Sequence, residues 1–171
     1  SRDPVAFARA CGLEPDPWQQ DLLRSDARQA LLNCSRQAGK STVSAVLGLH
    51  EAVDRGGLVL LLAPALRQSS ELMRKVKDAH RAAQATQRLP AVREESALRI
   101  ELANGGRIVS LPGHEETIRG FSGVGMLLVD EASRVPDALY YAVRPMLAVS
   151  GGRIVLLSTP FGRRGFFHKE W

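Results

Sequence analysis

"CSRQAGKSTV", residues 34–43, decides how the rest of the chain is read. It follows a short apolar run, Ala30–Leu32, and precedes a segment in which Val43, Val46, Leu47, His50 and Val53 fall at helical spacing. Gly56-Gly57 stops that segment. Strand, small-residue loop and helix, in that order, form the context a phosphate-binding loop requires. Gly39 lets the backbone pass close to a phosphate, the amides from about Gln37 to Thr42 can point inward, and the helix N-terminus adds partial positive charge. Lys40 supplies a point charge for β- and γ-phosphates, and the Ser41 hydroxyl suits Mg²⁺. Two residues are unusual: Cys34 stands where such a loop ordinarily opens with glycine, and Arg36 lies inside it. A guanidinium there can reach a γ-phosphate in cis and stabilise charge that develops during transfer. Its plainer reading is a solvated loop arginine or one paired with a nearby acid. For the whole stretch, the plainer reading is a basic helix N-terminus behind a loop of small residues.

Outward from this loop, the same alternation continues. Apolar runs without polar alternation occur at Ala30–Leu32, Leu58–Ala63, Met126–Val129 and Ile154–Leu157, a pattern that suits strands buried on both faces. After the second run, Leu72, Val76, Ala79 and Ala83 share one helical face, with Pro90 beyond its end. "ALRIELANGGRIVSLPG", Ala97–Gly113, has two alternating runs about Asn104-Gly105-Gly106, a hairpin signal, so an antiparallel ribbon is expected to insert there. "PDALYYAVRPMLAVSGG" gives a further helix, expected to bend or break near Pro145. Strands alternating with helices predict a three-layer α/β domain with a mostly parallel sheet and right-handed crossovers. At 171 residues this is one domain. No repeat, linker or low-complexity tract interrupts it, and "GFFHKEW" reads as the start of another helix.

Composition excludes more than it assigns. No apolar stretch approaches the ~18 residues of a membrane span, and Ser1–Gly12 is no signal peptide. Cys11 and Cys34 match no metal or redox spacing and read as reduced thiols of a cytosolic protein. A net charge of +5 and a pI near 9.8 permit a polyanionic partner without assigning one. Arg67, Arg74, Lys75, Lys77 and Arg81 form a basic helical stretch that a solvated face explains equally well.

Two further motifs carry chemistry. "MLLVDEAS" places Asp130 and Glu131 at the C-terminal end of a buried strand, where open parallel sheets bind their ligands. Adjacent carboxylates emerging from an apolar strand need something cationic, and neighbouring residues on a strand end face different ways. That suits Mg²⁺ through water for Asp130 and polarisation of an attacking water by Glu131. The plainer reading is a pair of helix N-caps after a strand. "LLSTPFGRRG" ends the last apolar strand with Ser158, Thr159 and Pro160, whose hydroxyls can sense a γ-phosphate; alone they are a turn signal.

Taken together, "PDPWQQDLL", "SRQAGKST", "MLLVDEAS" and "LLSTPFGRRG" resemble, in order and spacing, the ATPase domain of large terminase subunits, the DNA-packaging motors of tailed bacteriophages. The likeness runs from about Pro17 to Gly165. It accounts for the odd loop, since terminases commonly lack its first glycine and read serine-arginine-glutamine before the Gly-Lys pair. The resemblance implies a P-loop NTPase of the additional-strand, catalytic-glutamate class over residues 1–171, cut before a nuclease domain, hydrolysing ATP with Mg²⁺ but not cutting DNA. It assigns Ser35, Arg36, Gln37, Ala38, Gly39, Lys40, Ser41 and Thr42 to the phosphate loop, with Ser41 and Asp130 at the metal and Glu131 as the water-activating acid. Gln19 matches the glutamine that reads the adenine edge with Trp18 packing beside it, although Trp18 reads equally as a core aromatic. Ser158-Thr159-Pro160 match the motif coupling hydrolysis to movement. "TIRGFSGVG" resembles a segment where some terminases carry an arginine acting on a neighbouring subunit, which makes Arg119 a candidate finger in trans beside its reading as a surface arginine. The implied partners are double-stranded DNA, further copies in a ring on a portal, and a small terminase subunit. The implied place is the cytoplasm of the infected bacterial host, with no membrane and outside the mature virion. The alternatives are a helicase-type DNA translocase and a non-hydrolysing, nucleotide-gated assembly or DNA-binding module. Glu131 separates enzyme from module, because a module needs no water-activating carboxylate.

Overall fold

The computed structural model describes residues 2–33, 40–112 and 118–158. Its centre is one seven-stranded sheet in the order β1-β7-β6-β2-β5-β4-β3. The strands are β1 (Gln29–Asn33), β2 (Leu58–Ala63), β3 (Val92–Ser96), β4 (Arg99–Leu102), β5 (Arg107–Pro112), β6 (Val124–Asp130) and β7 (Arg153–Ser158). β1, β7, β6, β2 and β5 run parallel, and β4 and β3 extend that sheet antiparallel at one edge. The helices are α1 (Pro4–Ala10), α2 (Pro17–Arg24), α3 (Lys40–Arg55), α4 (Leu66–Ala83) and α5 (Asp137–Ser150), with a 3₁₀ turn at Ala132–Arg134. Among the described residues no helix is long and apolar enough to cross a membrane.

The expected doubly covered sheet forms because β2 has no polar side. Val59, Leu61 and Ala63 join the core under α1–α4, while Leu58, Leu60 and Leu62 join the core under α5. β6 divides the same way, with Met126 and Leu128 on one face and Leu127 and Val129 on the other. Successive residues of a strand point to opposite faces, so a run apolar at every position must be roofed twice. β7 lies between β1 and the acidic strand β6, so the strand that ends at Asn33 and the one that ends in Asp130 are one strand apart.

Two details differ from the expectation. The β4–β5 hairpin about Asn104-Gly105-Gly106 is present, but β5 is also the fifth parallel strand, paired along its length with β2. The ribbon is therefore continuous with the sheet, and β3 widens it. α5 runs unbroken through Pro145. The amide N–H that proline lacks would have met Tyr141, and both residues are exposed, so the ring stands on the solvent side of the helix. The helix expected from "GFFHKEW" lies outside the described residues.

The hairpin turn also holds α3. Asn104 Nδ2 donates to the carbonyls of Ala52 at 3.1 Å and Val53 at 3.0 Å, and its Oδ1 accepts from the Gly106 amide at 2.9 Å. A Cβ on Gly106 would stand 2.4 Å from the Ala52 carbonyl oxygen, so this close approach requires glycine.

Candidate active site

α3 begins with Lys40, and its side chain is 1% exposed. A buried ammonium needs partners. They come from the end of β6, where Glu131 Oε1 accepts from Lys40 Nζ at 2.5 Å and Asp130 Oδ1 lies 3.8 Å from the same nitrogen. Next along α3, Ser41 Oγ donates to Asp130 Oδ2 at 3.3 Å. The Glu131 amide donates to Asp130 Oδ1 at 3.1 Å, and Glu131 is left-handed at φ 55°, ψ 48°. Among the described non-glycine residues, only Glu131 has positive φ. Such a conformation is uncommon outside glycine and marks a backbone held by its surroundings. It turns the chain as it leaves the strand, so that both carboxylates reach the start of α3.

Burial pushes the Asp130 carboxyl above the usual carboxylate range; the Lys40 ammonium opposes this, and the Glu131 charge adds to it. Two carboxylates therefore share one buried cation. The residues around them form a cleft of about 230 Å³ lined by Lys40, Ser41, Asp130 and Glu131, with Gln68, Glu71, Leu72 and Lys75 from α4 opposite. Among the described residues, no group of three or more His, Cys, Asp or Glu side chains is placed to hold a metal by itself. A hard cation here would take the Ser41 and Asp130 oxygens and complete its shell with water and phosphate, which is how Mg²⁺ is usually bound.

The structure brings together Lys40, Ser41, Asp130 and Glu131, as the sequence leads one to expect. Thr42 follows them on the first turn of α3. Ser158 ends β7, fully buried, in register with Asn33 of β1, while its neighbour Leu157 pairs with Asp130. It thus lies between the end of β1 and the acidic pair. Ser35, Arg36, Gln37, Ala38, Gly39, Thr159 and Pro160 lie outside the described residues.

Gln19 and Arg119 stand apart from the cleft lining. Gln19 is buried in α2, and its Oε1 accepts from the Asp16 amide at 2.8 Å, half of a capping box that starts the helix. Trp18 packs, half-buried, against the core beneath α1–α4. Arg119 is exposed on the crossover from β5 to β6, beside the fully buried Ile118. The sequence reading missed the α4 wall of the cleft. Its signal was the spacing of residues 68, 71, 72 and 75 on one helical face, but the neighbourhood of β2 and β6 had to be known to use it.

Comparison with known proteins bears on the family and the fold. The family model described as the terminase large subunit, T4likevirus-type, N-terminal, matches residues 31–171. The terminase large subunit of Thermus virus P23-45 is 25% identical over 179 residues, covering 94% of this chain and 37% of that protein. The chain therefore spans little more than a third of the relative's length. The structure of the large terminase ATPase domain of Thermus phage P74-26 superposes with a TM-score of 0.82 at 23% identity, over 99% of this chain and 74% of that one. A large terminase from a thermophilic bacteriophage, solved in complex with ADP, gives 0.66 at 16% identity, over 100% of this chain and 42% of that one. The family match over most of its length makes this chain a member of the terminase large subunit family, and the superpositions give it the fold of the terminase ATPase domains.

Proposed function

We propose that this domain binds ATP with Mg²⁺ and hydrolyses it, and that in the whole large terminase the hydrolysis drives double-stranded DNA into a procapsid. The observation that carries the reading is the Lys40–Glu131–Asp130–Ser41 constellation at the start of α3. Lys40 would exchange its carboxylate partners for the β- and γ-phosphates. Ser41 and Asp130 would hold Mg²⁺, which when bound neutralises phosphate charge and orients the γ-phosphoryl group. Glu131, released by Lys40, accepts the proton of the attacking water. Arg36 is assigned to the γ-phosphate of its own subunit. Ser158, Thr159 and Pro160 would transmit the loss of the γ-phosphate to the following chain. Gln19 is assigned to the adenine edge; its oxygen serves the α2 cap, so the amide nitrogen would face the base.

The partners proposed are DNA, neighbouring copies in a ring on a portal, and a small terminase subunit, in the cytoplasm of an infected bacterium. DNA cleavage is not part of the activity proposed for residues 1–171. The family match favours packaging over a helicase-type translocase. Steady-state phosphate release with Mg–ATP tests the enzyme reading against the non-hydrolysing module. Glu131→Gln should still bind a fluorescent ATP analogue while turnover falls ~10²–10⁴-fold, since an amide cannot take the proton. If the folded variant instead loses the analogue, Glu131 is a ligand and the role given to it is wrong.

A further inference from the structure

Helix α4 brings to the acidic pair a polar stripe that the reaction as described does not use. Gln68, Glu71, Leu72 and Lys75 occupy i, i+3, i+4 and i+7, and all four line the cleft that holds Lys40, Ser41, Asp130 and Glu131. The placement is fixed by the fold. β2 pairs with β6 and leads directly into α4, and Leu72 is buried in the core, so the stripe must face the end of β6. Glu71 is paired along the helix with Arg67 at 3.8 Å. Among the described residues, Lys40 and Lys75 are the cations that line the cleft.

Charge balance gives this stripe a task. Lys40 holds Glu131 at 2.5 Å and Asp130 at 3.8 Å, yet hydrolysis requires the same ammonium at the phosphates. When it turns to them, Glu131 is left as a carboxylate facing a γ-phosphate of like charge. It stays beside the attacking water only if another group holds it there. Lys75, a point cation on a flexible four-carbon stem, and the Gln68 amide are the groups that wall offers. We propose that Gln68 and Lys75 form a second seat for the Glu131 carboxylate, occupied when Lys40 engages the phosphates, and so act as positioning residues for hydrolysis. The inference rests on the ATPase reading of the same cleft.

Zero-length carbodiimide coupling joins a lysine to a carboxylate only when the two touch, and peptide mapping identifies the pair. With Mg²⁺ and a non-hydrolysable ATP analogue bound, the Glu131–Lys75 link should rise above its level without nucleotide. Lys75→Met and Gln68→Leu should each lower kcat ~10–100-fold with KM for ATP nearly unchanged, as expected of a misplaced base, and Lys75→Arg should restore most of the rate. The proposal is overturned if the link does not rise while fluorescence shows the analogue bound, or if both variants keep the wild-type kcat. Failure of the analogue to bind overturns the ATPase reading first, and this inference with it.

Discussion

Lys40 is a charged side chain with 1% exposure, and what surrounds it decides how it responds to substitution. Removing one partner of a buried pair leaves the other charge unpaired, at a cost of roughly 3–5 kcal/mol. Lys40→Ala should therefore abolish ATP turnover and also lower the stability of the nucleotide-free domain, because Asp130 and Glu131 would face each other without their cation. Denaturant unfolding checks this, and a second variant isolates the cause. Lys40→Ala/Glu131→Gln removes one of the two stranded charges and should be more stable than Lys40→Ala by about 1 kcal/mol or more. Equal stability of the two would mean that the pair contributes nothing to the fold. Cys11 gives a simpler residue-scale expectation. Burial pushes its thiol up to about 12, so at pH 8 roughly one molecule in 10⁴ carries the thiolate. Alkylation of the Cys11 peptide should be slow in the native protein and fast in denaturant. These side chains differ in how they could be read from sequence. The lysine, the serine and the acidic doublet stand out in the sequence because phosphate chemistry asks for such residues on a loop and a strand end, and the structure brings them to one cleft. The contact between Lys40 and Glu131 spans 91 residues and appears only when β1 and β6 are one strand apart.

Among the elements, the strands announced themselves wherever both faces were apolar, and β5 shows why that rule can mislead. Its Ser110 is fully buried, yet a hydroxyl in the middle of the strand gave the run the alternation of a half-exposed hairpin. The structure satisfies it instead, since Ser110 Oγ donates to the Ser69 carbonyl on α4 at 2.7 Å. Pairing partners of this kind are not written locally, so β5 was legible as a strand and as half of a hairpin but not as a member of the parallel sheet. Asn104 is a similar case. "NGG" signals a turn, but nothing in it reveals that the side chain reaches two carbonyls at the end of α3. Asn104→Ala removes both of these bonds and the one from Gly106, although Ala52 keeps the bond from the Gly56 amide, and should cost about 1–3 kcal/mol in denaturant unfolding. Nucleotide affinity should hardly change, because the end of α3 proposed to meet the phosphates is the other one. A parallel loss of affinity would mean that the helix shifts as a unit and that the turn is coupled to the site.

Over the whole molecule, the roles proposed for the two candidate arginines separate what one copy would do alone from what it would need a neighbour for. Arg36, in the proposed phosphate loop, is assigned to its own subunit's nucleotide. Arg119 lies exposed on the β5–β6 crossover and is not part of the cleft lining, so a role for it at a nucleotide is best sought across a subunit boundary. An arginine finger is worth ~10³–10⁵ in rate. The domain should thus be slow when dilute, and its specific activity should rise with protein concentration or on ring formation. That rise should vanish in Arg119→Ala. Mixing variants tests the geometry directly. In a mixture of Arg119→Ala with Glu131→Gln, some subunits with an intact Glu131 stand beside a neighbour with an intact Arg119, and activity should partly return. Arg36→Ala mixed with Glu131→Gln should show no return, since each intact Glu131 then sits in a subunit whose own loop lacks its arginine. If mixed assemblies form by light scattering and the first mixture stays inactive, Arg119 is not the finger, and the exposed crossover has some other role.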